Sequence, residues 1–453
     1  MYARNLPDLP VELINDIVRR IDPTSFFSLR LVCRELTAKS FDTFSERYFR
    51  TREHFISDYS LDALVDISRH GLLGPAVETL IIDTDPFQEC LHLPAPLPAS
   101  PGDFVSEHEE ALLQFVEDQD FRRATGKDAI LLALALGNLR NCKNIEIGDY
   151  KSFWISKHRK TWGVMKTSRQ LGLCGVFEIG SNRSTHDALS YVFLAILSAA
   201  EASHAIIHRL SMHLSAANWM RFETLLFPVR VLDRLRSVTS NLKVLDVSVA
   251  LPQDGILLEE YEGWASLFSA ASNLEELHIR TADAKIEHFE NTFGRYFLQE
   301  YWNRLKIFQL RGCMLSGSVL LAFLLKHRRT LEHLQLAFID FLQGSCVSFL
   351  RQAIECLSLH KITFRALAED TQHRNQSTIL GGPAEGLSLN NGLAQDSSNS
   401  DQTLGELSPF VEISRTKKLR ILTYDRDRTR LSEHVPWSLL VERHHLETVI
   451  NLK

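Results

Sequence analysis

Leu274-Glu275-Glu276-Leu277-His278-Ile279 sets the pattern of this chain: apolar, two residues, apolar, one residue, apolar. The last two apolar positions are two apart, so on an extended chain they point to one face. The same spacing recurs at Leu242-x-x-Leu245-x-Val247, Leu305-x-x-Phe308-x-Leu310, Leu331-x-x-Leu334-x-Leu336, Leu359-x-x-Ile362-x-Phe364 and Leu419-x-x-Leu422-x-Tyr424. Weaker copies lie upstream at Val77-x-x-Leu80-x-Ile82, Cys142-x-x-Ile145-x-Ile147 and Ile207-x-x-Leu210-x-Met212, and residues 445–450 form an imperfect last one.

From Leu242 the copies follow at offsets of 32, 31, 26 and 28. Between them lie stretches of helical character, 257–271, 285–301, 316–327 and 347–357. Each unit is therefore a strand and a helix. One unit cannot bury its apolar face alone, so units must stack. The pattern resembles a degenerate leucine-rich-repeat solenoid, with units a little longer than the usual range of about 20–29 residues. The asparagine that normally follows the strand is mostly missing, and Gly312-Cys313 is its closest echo. Residues 369–408 break the array. They are rich in Ser, Asn, Gln and Gly and lack aromatics. Such a composition buries too little apolar surface to offset its ordering entropy, so the reading is a disordered insertion.

Upstream, residues 51–240 read as an irregular, helix-rich α/β region. Helices are expected over 61–70, 106–123, 128–139 and 184–201, with strands at 76–82 and 144–147. Five of the fourteen prolines fall between Pro86 and Gly102, which makes that stretch a loop. Residues 50–55 read as a lead-out from what precedes them.

What precedes them is a small helical module, residues 1–50. Pro10 suits a first helical position, Glu12 and Asp16 put negative charge near the positive helix end, and Leu13, Ile14, Ile17, Val18 and Ile21 make an apolar stripe. Asp22-Pro23 stops this helix and caps the next, which carries Phe26, Phe27, Leu29, Leu31 and Val32, with Cys33 and Leu36 beyond. Two or three short helices cannot enclose so many apolar side chains. The excess needs cover from the rest of the chain or from another protein.

Leu9-Pro10-x-Glu12-Leu13, then Ile17, Ile21, Asp22-Pro23, Leu29 and Val32-Cys33-Arg34, resembles an F-box. Phe26 and Phe27 stand where the family usually has smaller aliphatics, and Leu36 where an aromatic is common. With the repeats, the whole resembles F-box proteins of filamentous fungi. The resemblance implies docking onto a Skp-type adaptor, and through it a cullin and a RING subunit of a ubiquitin ligase. It implies adaptor contacts by Leu9, Pro10, Ile17, Leu29, Val32 and Cys33. Ordinary packing is the better reading for Leu13 and Ile21. The fold expected is thus α/β: a helical F-box module at 1–50, the helix-rich region at 51–240, and an irregular leucine-rich-repeat-like solenoid at 241–453 with the insertion inside it.

The 453 residues carry a net charge of −6, which supplies no strong field toward nucleic acid or an anionic membrane. Residues 1–10 have no signal-peptide character, and the longest apolar run, 191–200, is half the ~20 residues of a membrane span. Seven cysteines without a Cys-x-x-Cys pair suit buried thiols in the cytosol or nucleus. His204, His208 and His213 lie among apolar residues and are expected to pack rather than hold a metal. The run Lys151–Gln170 interleaves bases with Phe153, Trp154 and Trp162, a pattern that can bind nucleic acid but more often is a solvated loop. No phosphate loop, nucleophile elbow or zinc-protease motif is present, and no cofactor or metal is expected. The leading expectation is a non-catalytic substrate receptor of a ubiquitin ligase with a protein target. A non-ligase scaffold with the same adaptor is the alternative. An enzyme or nucleic-acid binder using 151–170 is the third reading.

Overall fold

A computed structural model of the chain describes residues 5–84, 107–148, 161–171, 185–214, 219–225, 229–250, 262–281, 293–342, 346–369, 410–414, 418–422 and 447–451. They fall into two compact units, one within 1–252 and 259–273, the other within 253–258 and 274–453.

The first unit opens with helices α1 (Val11–Arg20), α2 (Pro23–Val32), α3 (Arg34–Lys39) and α4 (Phe41–Tyr48). An α/β region follows: β1 (Thr51–Phe55), α5 (Asp58–Arg69), β2 (Thr79–Asp83), α6 (Glu107–Thr125), α7 (Lys127–Asn138), β3 (Asn144–Gly148) and α8 (Val164–Gln170). It continues through α9 (Thr185–Ser203), β4 (Arg209–His213), β5 (Met220–Arg221), α10 (Val229–Thr239), β6 (Val244–Ala250) and α11 (Glu262–Ala270). The strands pair in parallel in the order β1, β2, β3, β4, β6, with β5 on the far end of β6. Helices cover the sheet because each parallel connection needs a crossover. The motif copies lie in register, Leu80 beside Ile145, Ile145 beside Leu210, Leu210 beside Leu245. All four are buried.

The second unit repeats this arrangement: β7 (Glu276–Thr281), α12 (Phe293–Leu298), β8 (Ile307–Leu315), α13 (Gly317–Lys326), β9 (His333–Phe341), α14 (Cys346–Cys356) and β10 (Lys361–Glu369). Strands β7 to β10 are parallel, with Leu277, Phe308, Leu334 and Ile362 in one buried row. Each such buried side chain stabilises the fold by ~1.5–3 kcal/mol. Between the sheet and the helices, Phe297, Phe308 and Trp302 surround Phe323 at ring separations of 6.1, 4.9 and 6.3 Å.

Within this ladder the alternation of side chains slips by one residue. On β8 the buried residues run Phe308 and Leu310, then Cys313 and Leu315; on β9 they run Leu334 and Leu336, then Ile339 and Phe341, with the small Ala337 also buried between the two pairs. A change of parity would send the second half of each strand to the wrong face. It is absorbed by Gly312 and Phe338, both left-handed, at φ of 80° and 55°. Gly312 has a second reason to lack a side chain, since a Cβ there would stand 2.2 Å from the Thr281 carbonyl oxygen.

Three expectations need correction. Residues 51–55 are not a lead-out but the edge strand β1, which the Trp162 amide caps by donating to the Glu53 carbonyl at 2.8 Å. The copy at Leu419 does not extend the parallel ladder: β12 (Lys418–Leu422) pairs antiparallel with β11 (Phe410–Ser414) in a separate two-stranded sheet. The last copy, β13 (Glu447–Asn451), lies antiparallel on β10. Apolar spacing two apart is the same in both directions, so the pattern could not carry strand polarity. Residues 86–102 and 151–160 lie outside the described residues, as does the expected insertion 369–408 except Glu369, the end of β10.

Candidate adaptor-docking surface

The N-terminal module builds a core from four buried residues, Ile14 and Val18 on α1, Phe26 on α2 and Leu36 on α3. Leu9, Ile21, Leu29, Cys33, Phe44 and Tyr48 pack around them. Asp22 caps α2, accepting the Ser25 amide at 3.0 Å, and hydrogen bonds from Ser25 hold its carboxyl below the usual range. The guanidinium of Arg30 lies 3.9 Å from the centre of the Phe44 ring and donates to the Thr37 carbonyl at 3.1 Å, fixing α2 to α3 and α4. Lys39 donates to the Leu9 carbonyl at 3.0 Å and so pins the segment before α1.

The six residues singled out by sequence divide in two. Leu9, Leu29 and Cys33 converge on the core and are half-buried. Cys33 also caps α3, its Sγ accepting the Leu36 amide at 3.5 Å. Pro10 is exposed at the N-cap of α1, one residue before its expected place inside the helix; Ile17 is half-buried. Val32 is 72% exposed at the end of α2. Sequence reading missed its neighbour Leu31, which is 86% exposed, and Phe27, 44% exposed and one helical turn before Leu31. Leu13, read as packing, is 49% exposed. The stripe on α1 is wider than the core it can reach, so only Ile14 and Val18 are fully enclosed. Exposed apolar side chains gathered at one end of a helix make this end of α2 a candidate contact surface.

Residues 6–36 match the F-box domain. The helical module is an F-box. No curated protein matches the chain. F-box domains as a class bind Skp-type adaptors of cullin ligases. In this F-box the apolar exposure is concentrated where α2 ends, at Leu31 and Val32.

The outward face of the second unit is polar and orderly. One row across the strands reads His278, Gln309, Gln335 and Thr363; the next reads Arg280, Arg311, Ala337 and Arg365. Phe338 stands beside the second row, 40% exposed, with the Arg311 and Arg365 guanidinium carbons 4.9 and 5.3 Å from its ring centre.

Several titratable groups of the first unit are engaged in packing, whereas His204 and His213, expected to pack, are exposed. Arg122 lies 3.5 Å from Asp128 and 3.7 Å from Asp58, and the Tyr191 hydroxyl donates to Asp128 at 2.9 Å, joining α5, α6, α7 and α9. Burial raises the pKa of Asp128 and pushes the Cys142 thiol up to about 12. His213 lies 3.8 Å from Glu146, and among the described residues no three His, Cys, Asp or Glu side chains gather to hold a metal. The described end of the basic run is helix α8, whose Val164 packs with Phe55 and Leu171, while Lys166 sits 3.6 Å over the Tyr59 ring. No helix among the described residues is long and apolar enough to cross a membrane.

Proposed function

We propose that the chain is the substrate-recognition subunit of a cullin-based ubiquitin ligase, docking through its F-box to a Skp-type adaptor and holding a protein target on its strand–helix units. The exposed pair Leu31 and Val32 on a folded F-box carries this reading. We read the units as a degenerate leucine-rich-repeat-like solenoid, a reading supported by motif copies that fall in register through each parallel ladder. In this role the chain does no bond chemistry itself. It raises the effective concentration of a target beside the ubiquitin-charged enzyme, and works in the cytosol or nucleus.

The test is recovery of a purified Skp-type adaptor on the immobilised full chain. Leu31→Asp/Val32→Asp should cut affinity at least ~30-fold per anchoring side chain while thermal melting stays unchanged, because both side chains face solvent. Leu9→Ala/Pro10→Ala should weaken it less. Equal recovery by wild type and the double aspartate variant would sink the docking assignment. Deleting the chain in cells should lengthen the half-life of the bound target; unchanged half-lives would leave a scaffold without turnover.

A further inference from the structure

Residues 5–9, ahead of α1, have little of their own to hold them in place. They form one 3₁₀ turn, Leu6–Asp8, in which no side chain is buried. The Asp8 amide donates to the Asn5 carbonyl at 3.0 Å, the Leu9 amide to the Leu6 carbonyl at 3.2 Å, and the Asn5 amide to the Asp8 carboxylate at 3.0 Å. So short a turn is costly to nucleate and does not persist in water unaided. Leu9 and Pro10 then run extended into the helix, at ψ of 147° and 152°. Leu9 packs half-buried on the core, and Pro10 is exposed. The polar tie to the rest of the module is Lys39, the last residue of α3. Its ammonium donates to the Pro7 carbonyl and, at 3.0 Å, to the Leu9 carbonyl, and it lies 2.8 Å from the Glu35 carboxylate one turn back on α3. An ammonium has three donors, and here each has an acceptor. The two carbonyls are ones the local structure leaves over: the turn uses those of Asn5 and Leu6, and α1 uses that of Pro10. Among the described residues, the hydrogen bonds that join residues 5–9 to the helices all come from this one nitrogen.

We propose that Lys39 is a positioning residue for adaptor docking: it acts through Leu9 and Pro10, fixing them where the adaptor meets them. The proposal rests on the reading of the F-box as a docking module and adds how one part of its surface is held. That surface has two parts. Leu31 and Val32 stand at the end of α2, whose own backbone hydrogen bonds and packed Phe26 keep the helix formed. Leu9 and Pro10 stand on a segment without such backing. Ordering that segment at the moment of binding would cost affinity, and the Lys39 clamp moves that cost into folding. The i, i+4 pair with Glu35 alone would be a minor helix-surface contact. The carbonyls of Pro7 and Leu9 make it a tertiary one, reaching 32 and 30 residues back along the chain. The Lys39 side chain is 26% exposed, so water competes for its donors less than on an open surface.

The test uses the full chain and a purified Skp-type adaptor, with hydrogen exchange measured on the chain alone. Lys39→Met keeps a long apolar stem and removes the donors. Exchange at the Asp8 and Leu9 amides should quicken about tenfold while the amides of α1 and α2 keep their protection, because only the segment is released. Adaptor affinity should fall about tenfold, the loss of one charge-assisted contact. A double-mutant cycle separates positioning from general weakening. Added to Leu9→Ala/Pro10→Ala, Lys39→Met should do little more, since the side chains it places are gone. Added to Leu31→Ala, it should cost its full factor. Unchanged exchange at Asp8 and Leu9, lost protection throughout α1 and α2, or the same further loss in both backgrounds overturns the proposal. Adaptor bound equally by wild type and Lys39→Met defeats the positioning role alone. No adaptor bound even by wild type defeats the docking reading, and the role of Lys39 in it.

Discussion

The F-box and the second sheet unit treat their apolar residues in opposite ways. In the ladder of β7 to β10 every motif position is enclosed, and what reaches solvent includes Gln, His, Arg, Lys361, the acids Glu276 and Asp340, and the aromatic Phe338. In the F-box, four residues form the core while Leu31, Val32, Leu13 and Phe27 stay in water. A sheet face covered by helices can bury a whole period-2 pattern. A module of four short helices has too little interior to do so. The difference separates two kinds of surface. The F-box exposes apolar area, while the sheet exposes charge and hydrogen-bonding groups, which in general discriminate more sharply between surfaces.

The sharpest way to break the contrast is to empty the smaller core. Phe26 is fully buried and stacks 6.0 Å from Tyr48. Phe26→Ala should cost ~3–5 kcal/mol, comparable to what so small a core can supply. Hydrogen exchange on the full chain should then show α1 to α4 losing protection, and adaptor binding lost with them, while β7 to β10 keep theirs. Equal loss in both regions would mean that the F-box is not a separate energetic unit.

Acid probes a likeness between the α/β parts. Among the described residues each holds one fully buried histidine. His54, whose Nδ1 lies 2.9 Å from the Ser60 carbonyl, has its pKa pushed down to about 3, mainly by burial. His327 donates from Nδ1 to the Phe323 carbonyl at 3.0 Å and accepts the Trp302 amide on Nε2 at 3.1 Å, and burial lowers its pKa too. A depressed histidine pKa means that the unfolded chain binds the extra proton. Stability is then complete above the ordinary value of 6.5 and falls as pH drops through the window toward 3. His54 should contribute a slope of about 1.4 kcal/mol per pH unit there. Urea titrations across that window should show a flatter acid limb for His54→Asn than for wild type. An unchanged slope would place the proton elsewhere.

Much of this was legible in the sequence, for reasons that also mark where it stopped. The row Leu277, Phe308, Leu334, Ile362 could be read because burial on one face leaves a period-2 trace that recurs with each helix. β1 left no such trace. Thr51-Arg-Glu-His-Phe is an edge strand whose first three residues reach solvent. The slip at Gly312 and Phe338 was hidden because one left-handed residue resets the alternation without any apolar signal. In the F-box, Leu9, Pro10 and Val32 were singled out, but Leu31 was not. An apolar residue on a short helix looks alike in sequence whether it faces a core or a partner, and only the packing of α1, α3 and α4 against α2 decides which.

The smallest effect tests how firmly the first sheet is joined to what precedes it. Ser57 follows β1 and caps α5, its hydroxyl accepting the Ser60 amide at 3.2 Å in a buried setting. The hydroxyl of Ser60 in turn donates to the Trp162 carbonyl at 2.9 Å, so the cap stands within the contacts that cover the edge strand. Ser57→Ala leaves one buried N–H without its acceptor and should cost ~1 kcal/mol. For a unit of this size that is a fall of about 2–4 °C in Tm. Ser57→Asn, which can cap in the same way, should recover most of it. The equivalent cap of the F-box, Asp22, lies in water, where solvent can replace the lost acceptor, so Asp22→Ala should lower Tm by less than Ser57→Ala. If Asp22→Ala proved the more damaging, the F-box helices would depend on their caps more than on their core, and the contrast between a packed sheet and a partly open helical module would have to be drawn from local helix stability instead.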